Sequence, residues 1–153
     1  MLVLFGIGLT LGNVWGGKSA DRSVDRTLII SLVVLIAVLL AFSVLMQWPL
    51  PAALSILLWG AASFALVPPL QMRVMEAAKD APNLASAMNI GAFNFGNAIG
   101  AALGGSVINA GLGYPAISLA GAIMAGLGLL MVLGLGWRAR RADSRSGREA
   151  VQA

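Results

Sequence analysis

Apolar residues run along this 153-residue chain in long blocks, and the charged residues collect between the blocks. No Asp, Glu, Lys or Arg occurs in residues 1–17, 27–72 or 81–137. Crossing a bilayer as a helix takes about 20 apolar residues. The stretch 27–72 therefore has room for two helices and a turn, and Pro49 and Pro51 mark the turn. The stretch 81–137 divides in the same way at the glycine-containing run Asn109 to Pro115. The pattern predicts five spans at about 1–17, 28–46, 50–71, 84–108 and 114–136. Together they make a transmembrane bundle over residues 1–141, followed by a flexible polar tail at 142–153. The fold class expected is an all-α, polytopic transmembrane helical bundle.

Composition narrows the choice further. The chain is 59% hydrophobic and 10% charged. A soluble domain usually carries roughly 25% charged residues, so a water-soluble globule is excluded, and so is a charge-rich disordered chain. There is no Cys and no His. That removes disulfide frameworks, thiolate metal sites, most zinc sites and the commonest general base. Nothing in the pattern calls for a metal or a cofactor.

The net charge of +4 raises the question of nucleic-acid binding, and the placement of the charges answers it. All ten cations fall in three clusters: Lys18, Arg22 and Arg26; Arg73 and Lys79; and Arg138, Arg140, Arg141, Arg145 and Arg148. Five spans alternate sides, so clusters following the first, third and fifth lie on one face. By the positive-inside rule that face, with the C-terminus, is cytoplasmic. Trp15 and Trp137 fall at the inner boundaries, and Trp48 and Tyr114 at the outer ones, as an aromatic belt requires. Trp59 lies mid-span and needs packing or a cavity to explain it. At the helix ends, Asn83 is expected to cap the fourth span and Pro115 to sit in the first turn of the fifth. Pro68-Pro69 should kink or end the third. The first span lacks the basic start and small-residue cleavage site of a signal peptide. An odd number of spans with an outside start is the expected mark of a fragment of a longer protein.

Two segments carry more than topology. The first is Gly16 to Arg26, GGKSADRSVDR, in a short loop between two spans. Its glycines allow close helix approach, Asp21 can cap a helix or pair with arginine, and Arg22 and Arg26 can pair with carboxylates or phosphates. The same residues also suffice for a generic positive-inside loop. Residues 17–26 resemble the signature loop of the major facilitator superfamily, roughly G-x-x-x-D-R-x-G-R-R/K. Gly17, Asp21, Arg22 and Arg26 fall on matching positions, whereas Val24 and Asp25 depart from the pattern. The departures resemble the second-half copy of that loop, between helices eight and nine. The resemblance implies that this loop is part of a cytoplasmic gate, and that Asp21 bonds to a helix end in the opposite half of the transporter.

The second segment is Asn89 to Gly105, NIGAFNFGNAIGAALGG. It is similar to the eleventh helix of bacterial drug:proton antiporters and sugar (arabinose-type) efflux proteins of the same superfamily. With the loop, it implies the last five of twelve helices, part of the C-terminal six-helix half of a major facilitator fold. The partners so implied are the missing N-terminal helices, the lipid bilayer and a small-molecule substrate. Read physically, Gly96, Gly100 and Gly104 form a stripe suited to helix packing. Ser86, Asn94 and Asn97 lie on another side of the helix. Amides are costly against lipid, so Asn94 and Asn97 are expected to line the translocation path or to bond between helices. The five glycines of the fifth span read as packing, and the seven Met residues as apolar filler.

No titratable side chain lies inside any span, so neither a proton-coupling residue nor an enzyme active site is assignable here. The resemblance implies a bacterial inner-membrane exporter of a sugar, a drug-like compound or a nucleoside. It would work by alternating access and be proton-coupled through residues outside this chain. The alternative is a non-transporting five-span scaffold or assembly subunit that uses the glycine stripe to hold a partner. Either way the chain is expected to stay in solution only with detergent and to be strongly helical. Size-exclusion chromatography and circular dichroism check this, and a monodisperse monomer in plain buffer would contradict a membrane chain.

Overall fold

The computed structural model describes the backbone of residues 1–152 and the side chains of residues 1–138 and 141. Six helices follow one another: α1 (Leu2–Ala20), α2 (Val24–Leu45), α3 (Pro49–Phe64), α4 (Val67–Ala77), α5 (Pro82–Asn109) and α6 (Tyr114–Gln152). No strand occurs among the described residues. The chain is an all-α helical membrane bundle.

The turns follow from local chemistry. Ser23 caps α2 with extended backbone, its Oγ accepting from the Arg26 N–H at 3.4 Å. Pro49 opens α3, where a missing N–H costs nothing. Pro82 opens α5 in the same way, with Ala81 at the N-cap. Asn83 therefore lies inside the helix and does not cap it, because the proline sets the helical start two residues earlier than a cap at 83 allows. Gly111 and Gly113 take φ of 72° and 78° in the turn before α6, a region that side-chain-bearing residues avoid.

The third apolar block is divided. Pro68 and Pro69 have no N–H to give to the carbonyls of Phe64 and Ala65, so the helix stops there. The chain bends through Ala65 and Leu66, and the prolines form the first turn of α4, a position that tolerates them. Pro69 is fully buried, so the break is packed into the bundle. At the other end of the chain, α6 continues past Trp137 to Gln152. The expectation of a flexible tail at 142–153 concerns side chains outside the described residues.

Packing is set by glycine. Gly8, Gly12 and Gly16 recur every four residues along α1, and all three are buried. A Cβ at Gly8 would strike the carbonyl of Leu57, one at Gly12 that of Ala61, and one at Gly16 that of Ala65. The two backbones therefore touch over roughly two helical turns. The contact is reciprocal on α3, where a Cβ at Gly60 would lie 2.8 Å from the Phe5 carbonyl oxygen. Phe5 closes the end of this seam against Trp59 (ring centroids 5.1 Å apart) and Phe64 (6.2 Å, edge to face). Around this pair, α2 packs on α3 and α6, and α4 packs on α1 and α2. Among the described residues, helix α5 packs on α4 and α6 only.

Apolar side chains also cover the outside. Three helices are long and apolar enough to cross a membrane: Val24–Leu45, the broken pair Pro49–Ala77, and Tyr114–Arg138. Between 11% and 28% of each apolar window is buried, so most of that surface faces outward, where only hydrocarbon solvates it. Helices α1 and α5, of 19 and 28 residues, have the length to cross. Glycine and asparagine dilute their apolar character, which keeps them out of that set.

The α1 seam should respond to a single methyl group. Gly12→Ala is expected to destabilise the bundle by about 1–3 kcal/mol through overpacking against Ala61. Gly6→Ala faces open space and should be neutral or slightly stabilising. Thermal unfolding in detergent, followed by circular dichroism, checks the contrast.

Candidate functional site

Two features stand out: a charged end and an apolar cavity. The charged end forms where α1 hands over to α2. Gly17 lies half-buried in the last turn of α1 with nothing within 4 Å of a Cβ built on it. Asp21 terminates α1 in helical conformation and is exposed. Arg22 follows in the turn and Arg26 in the first turn of α2, both exposed. The four residues thus lie along the end of α1, the turn and the start of α2. No hydrogen bond or ion pair engages the side chains of Asp21, Arg22 or Arg26 among the described residues.

The residue that does find a partner is Asp25, one of the two departures from the family pattern. Its Oδ1 accepts from Arg73 Nη1 at 2.7 Å, across 48 residues of sequence. Arg73 projects from α4, beyond the proline break. The break is what makes the pair: it turns α4 so that a cation two turns past Leu66 reaches the start of α2. Both side chains are partly exposed, at 34% and 56%, so the pair contributes little energy. Its information is positional, since it brings two of the three charge clusters together. Asp25 also lines a surface depression with Trp137, at the start of the third cluster, and the Arg141 guanidinium sits 3.4 Å over the Trp137 ring. All three clusters therefore meet at one end of the bundle. The signals for Asp25–Arg73 in the sequence are an acid where the family pattern has a base and a lone cation just past two prolines. Neither names the other as partner.

The cavity has a volume of about 370 Å³ and lies between α2, α3, α5 and α6. Phe42 and Trp59 wall it, Ser55 from α3 and Ser118 from α6 line it, and Gly96 and Gly100 form its α5 side. Trp59 thus owes its mid-helix place to both packing and a cavity. Gly104 lies on the same wall, where a Cβ would come within 3.8 Å of Ile117 Cγ2. Nothing lies within 4 Å of a Cβ at Gly96 or Gly100. Within the stripe Gly96 and Gly100 therefore front open space while Gly104 lies against Ile117, and the backbone-to-backbone contact belongs to Gly8, Gly12 and Gly16. That α1 stripe has the same four-residue spacing and was equally legible. Asn94 and Asn97 are exposed on α5 and do not line the cavity. No group of three or more acidic residues is placed to hold a metal ion among the described residues.

The sequence profile of the Major Facilitator Superfamily matches residues 1–152. The chain belongs to the major facilitator superfamily. It is 58% identical over 132 residues to the inner membrane transport protein YdhP of Escherichia coli K12, covering 86% of this chain and 34% of that protein. It is 33% identical over 130 residues to the MFS-type transporter YfhI of Bacillus subtilis, covering 85% of this chain and 33% of that one. A probable sugar efflux transporter of Helicobacter pylori is 47% identical over 62 residues, which is 40% of this chain and 16% of that protein. The chain thus spans about a third of the length of the first two of these facilitators. No solved structure matches the chain.

The charged end offers a direct check. A double-mutant cycle of Asp25→Asn and Arg73→Gln should give a coupling of about 0.2–1 kcal/mol in thermal unfolding. The coupling should fade at about 1 M salt, where the Debye length is roughly 3 Å.

Proposed function

We propose that this chain is the C-terminal part of a bacterial inner-membrane facilitator that exports a small solute by alternating access. In this reading α1, α2, α3 with α4, α5 and α6 are five spans, and the charged end is cytoplasmic. One observation carries most of the weight: the three charge clusters of a family-matched bundle converge on a single end, and the opposite turns, at 46–48 and 110–113, carry no charge. A positive cytoplasmic face is what the positive-inside rule asks of a polytopic protein. It also fits a signature-like turn that serves a gate between two halves.

The roles follow residue by residue. Asp21, exposed and unengaged among the described residues, is available to a helix end in the other half, where a carboxylate is favoured by the positive N-terminal dipole. Gly17 leaves room for that approach. Arg22 and Arg26 flank the carboxylate and are placed for partners across the gate or for lipid phosphates. Asp25 and Arg73 tie the turn to α4, so the gate residues stand on a braced platform. Asn94 and Asn97 lie on a helix with few neighbours in this chain, and their amides would face the translocation path once the other helices cover α5. Gly96, Gly100 and Gly104 would then serve packing against those helices or the cavity described above. Solute classes that fit the relatives' names and the family are sugars, drug-like compounds and nucleosides. Proton coupling would depend on residues outside this chain, since its apolar segments hold no titratable group.

Export from cells expressing the transporter with this C-terminal part tests the reading. Labelled sugars, nucleosides and toxic compounds would be assayed with Asp21→Asn as the paired variant. Energy-dependent efflux that Asp21→Asn reduces about tenfold or more at equal membrane abundance is the expected result. Efflux unchanged in that variant would remove Asp21 from the gate. No efflux of any solute would favour a scaffold role. Asn94→Ala and Asn97→Ala should lower transport more than they lower the melting temperature, and the reverse would make them interhelical hydrogen-bonding residues.

A further inference from the structure

Trp59 is the one tryptophan of the chain that stands far from every charged cluster and turn. Trp15 and Trp137 lie close to Lys18 and Arg138, and Trp48 is the N-cap of α3. An indole suits such boundaries, where its ring is buried and its N–H stays wet. Trp59 lies ten residues after Pro49 and fourteen before Arg73. At a rise of about 1.5 Å per residue it is ~15 Å from the Pro49 end, roughly half of a 30 Å hydrocarbon core. Its ring leans on Phe5, yet the residue is 42% exposed. Its indole N–H has no acceptor among the described residues. Against hydrocarbon an unpaired N–H is costly.

Other unpaired groups share this depth. Asn94 and Asn97 occupy the middle of the 28-residue α5 and are exposed. Their amides also lack partners among the described residues. Gly96, between them, borders the same gap as Trp59. An indole N–H and two amides at mid-depth call for water or a polar ligand at that level. Exposure alone does not make this distinction. Leu58 is also 42% exposed, but it lies in a groove between α2 and α3 whose lining is apolar except for Ser55. Consecutive helical residues point about 100° apart, so Leu58 and Trp59 sample different surroundings.

We propose that Trp59 stands on the water-accessible wall of the translocation path and stacks its indole against a ring of the passing solute. The proposal deepens the export reading and rests on it. The solute class it selects is ring-bearing: an aromatic base or drug-like ring, or a sugar that presents its C–H face. Asn94 and Asn97 supply donors and acceptors at the same level for the polar edge of such a ring.

The test uses the full-length transporter that carries this C-terminal part, with every cysteine outside this chain replaced, since the chain itself has none. Single-cysteine variants Trp59→Cys and Leu58→Cys are treated in membrane vesicles with a cationic methanethiosulfonate, which reacts with thiolates in contact with water. Trp59→Cys should react about tenfold or more faster than Leu58→Cys, because a thiol in hydrocarbon does not ionise. Equal rates, or a slower rate at 59, overturn the proposal, since residue 59 then faces lipid or a packed helix. In transport, Trp59→Ala should raise KM about tenfold with the maximal rate per transporter little changed, the size expected for one lost stacking contact. Trp59→Phe keeps a ring and should stay within about threefold of the parent. Phe5→Ala removes the ring behind Trp59 and should lower the melting temperature while KM stays near the parent value. If Trp59→Ala behaves as Phe5→Ala does in both readouts, Trp59 is a packing residue and the proposal falls. Labelling needs no transport, so absence of efflux strikes the export reading, whereas slow labelling at 59 strikes this one.

Discussion

Three glycines on one face of α1 let its backbone rest on that of α3, and the remaining helices are arranged around that seam. In hydrocarbon there is no hydrophobic drive to press helices together, because lipid solvates leucine as well as leucine does. What holds them is dispersion between closely fitted surfaces, and nothing fits more closely than backbone against backbone. Gly8, Gly12 and Gly16 remove the side chains that would keep α1 away. Ala61 and Ala65 supply a small-residue partner surface, and Gly60 returns the favour to Phe5. The proline break follows directly after this seam, at the residue that Gly16 touches. The position of α4, and through it the Asp25–Arg73 pair, therefore depends on where α1 and α3 meet.

The charged end shows a similar economy. Its ion pair is too exposed to add much stability, yet it joins the turn after α1 to the helix after the break. The unengaged Asp21, Arg22 and Arg26 stand beside it. Charge concentrated at one end and absent from the apolar segments is also the least costly distribution for a chain that lies in a bilayer.

Helix α5 is the exception in the bundle. It is long and rich in glycine and asparagine, and among the described residues it packs only on its chain neighbours α4 and α6. A helix carrying several amides and few internal contacts is poorly matched to lipid on all sides. Its Gly96 and Gly100 border a cavity, and its Asn94 and Asn97 look outward. The chain spans about a third of the length of its relatives YdhP and YfhI.

The all-α class, the family and the grouping of charge were legible from the amino-acid order alone. They rest on period and composition: blocks of apolar residues bounded by charge, and a ten-residue loop pattern. The turns at Pro49 and Gly111 to Gly113 were legible for the same reason, since proline and glycine act on their own backbone, whereas the start of α5 at Pro82 was not, a cap at Asn83 being expected instead. What needed the fold was every question of which surface meets which. The stripes at 8, 12, 16 and at 96, 100, 104 have identical spacing, yet one is closed against a helix and the other opens on a cavity. Spacing tells which residues share a face and says nothing about what lies opposite. Asp25 and Arg73 are 48 residues apart, and their meeting depends on the direction α4 takes after the prolines.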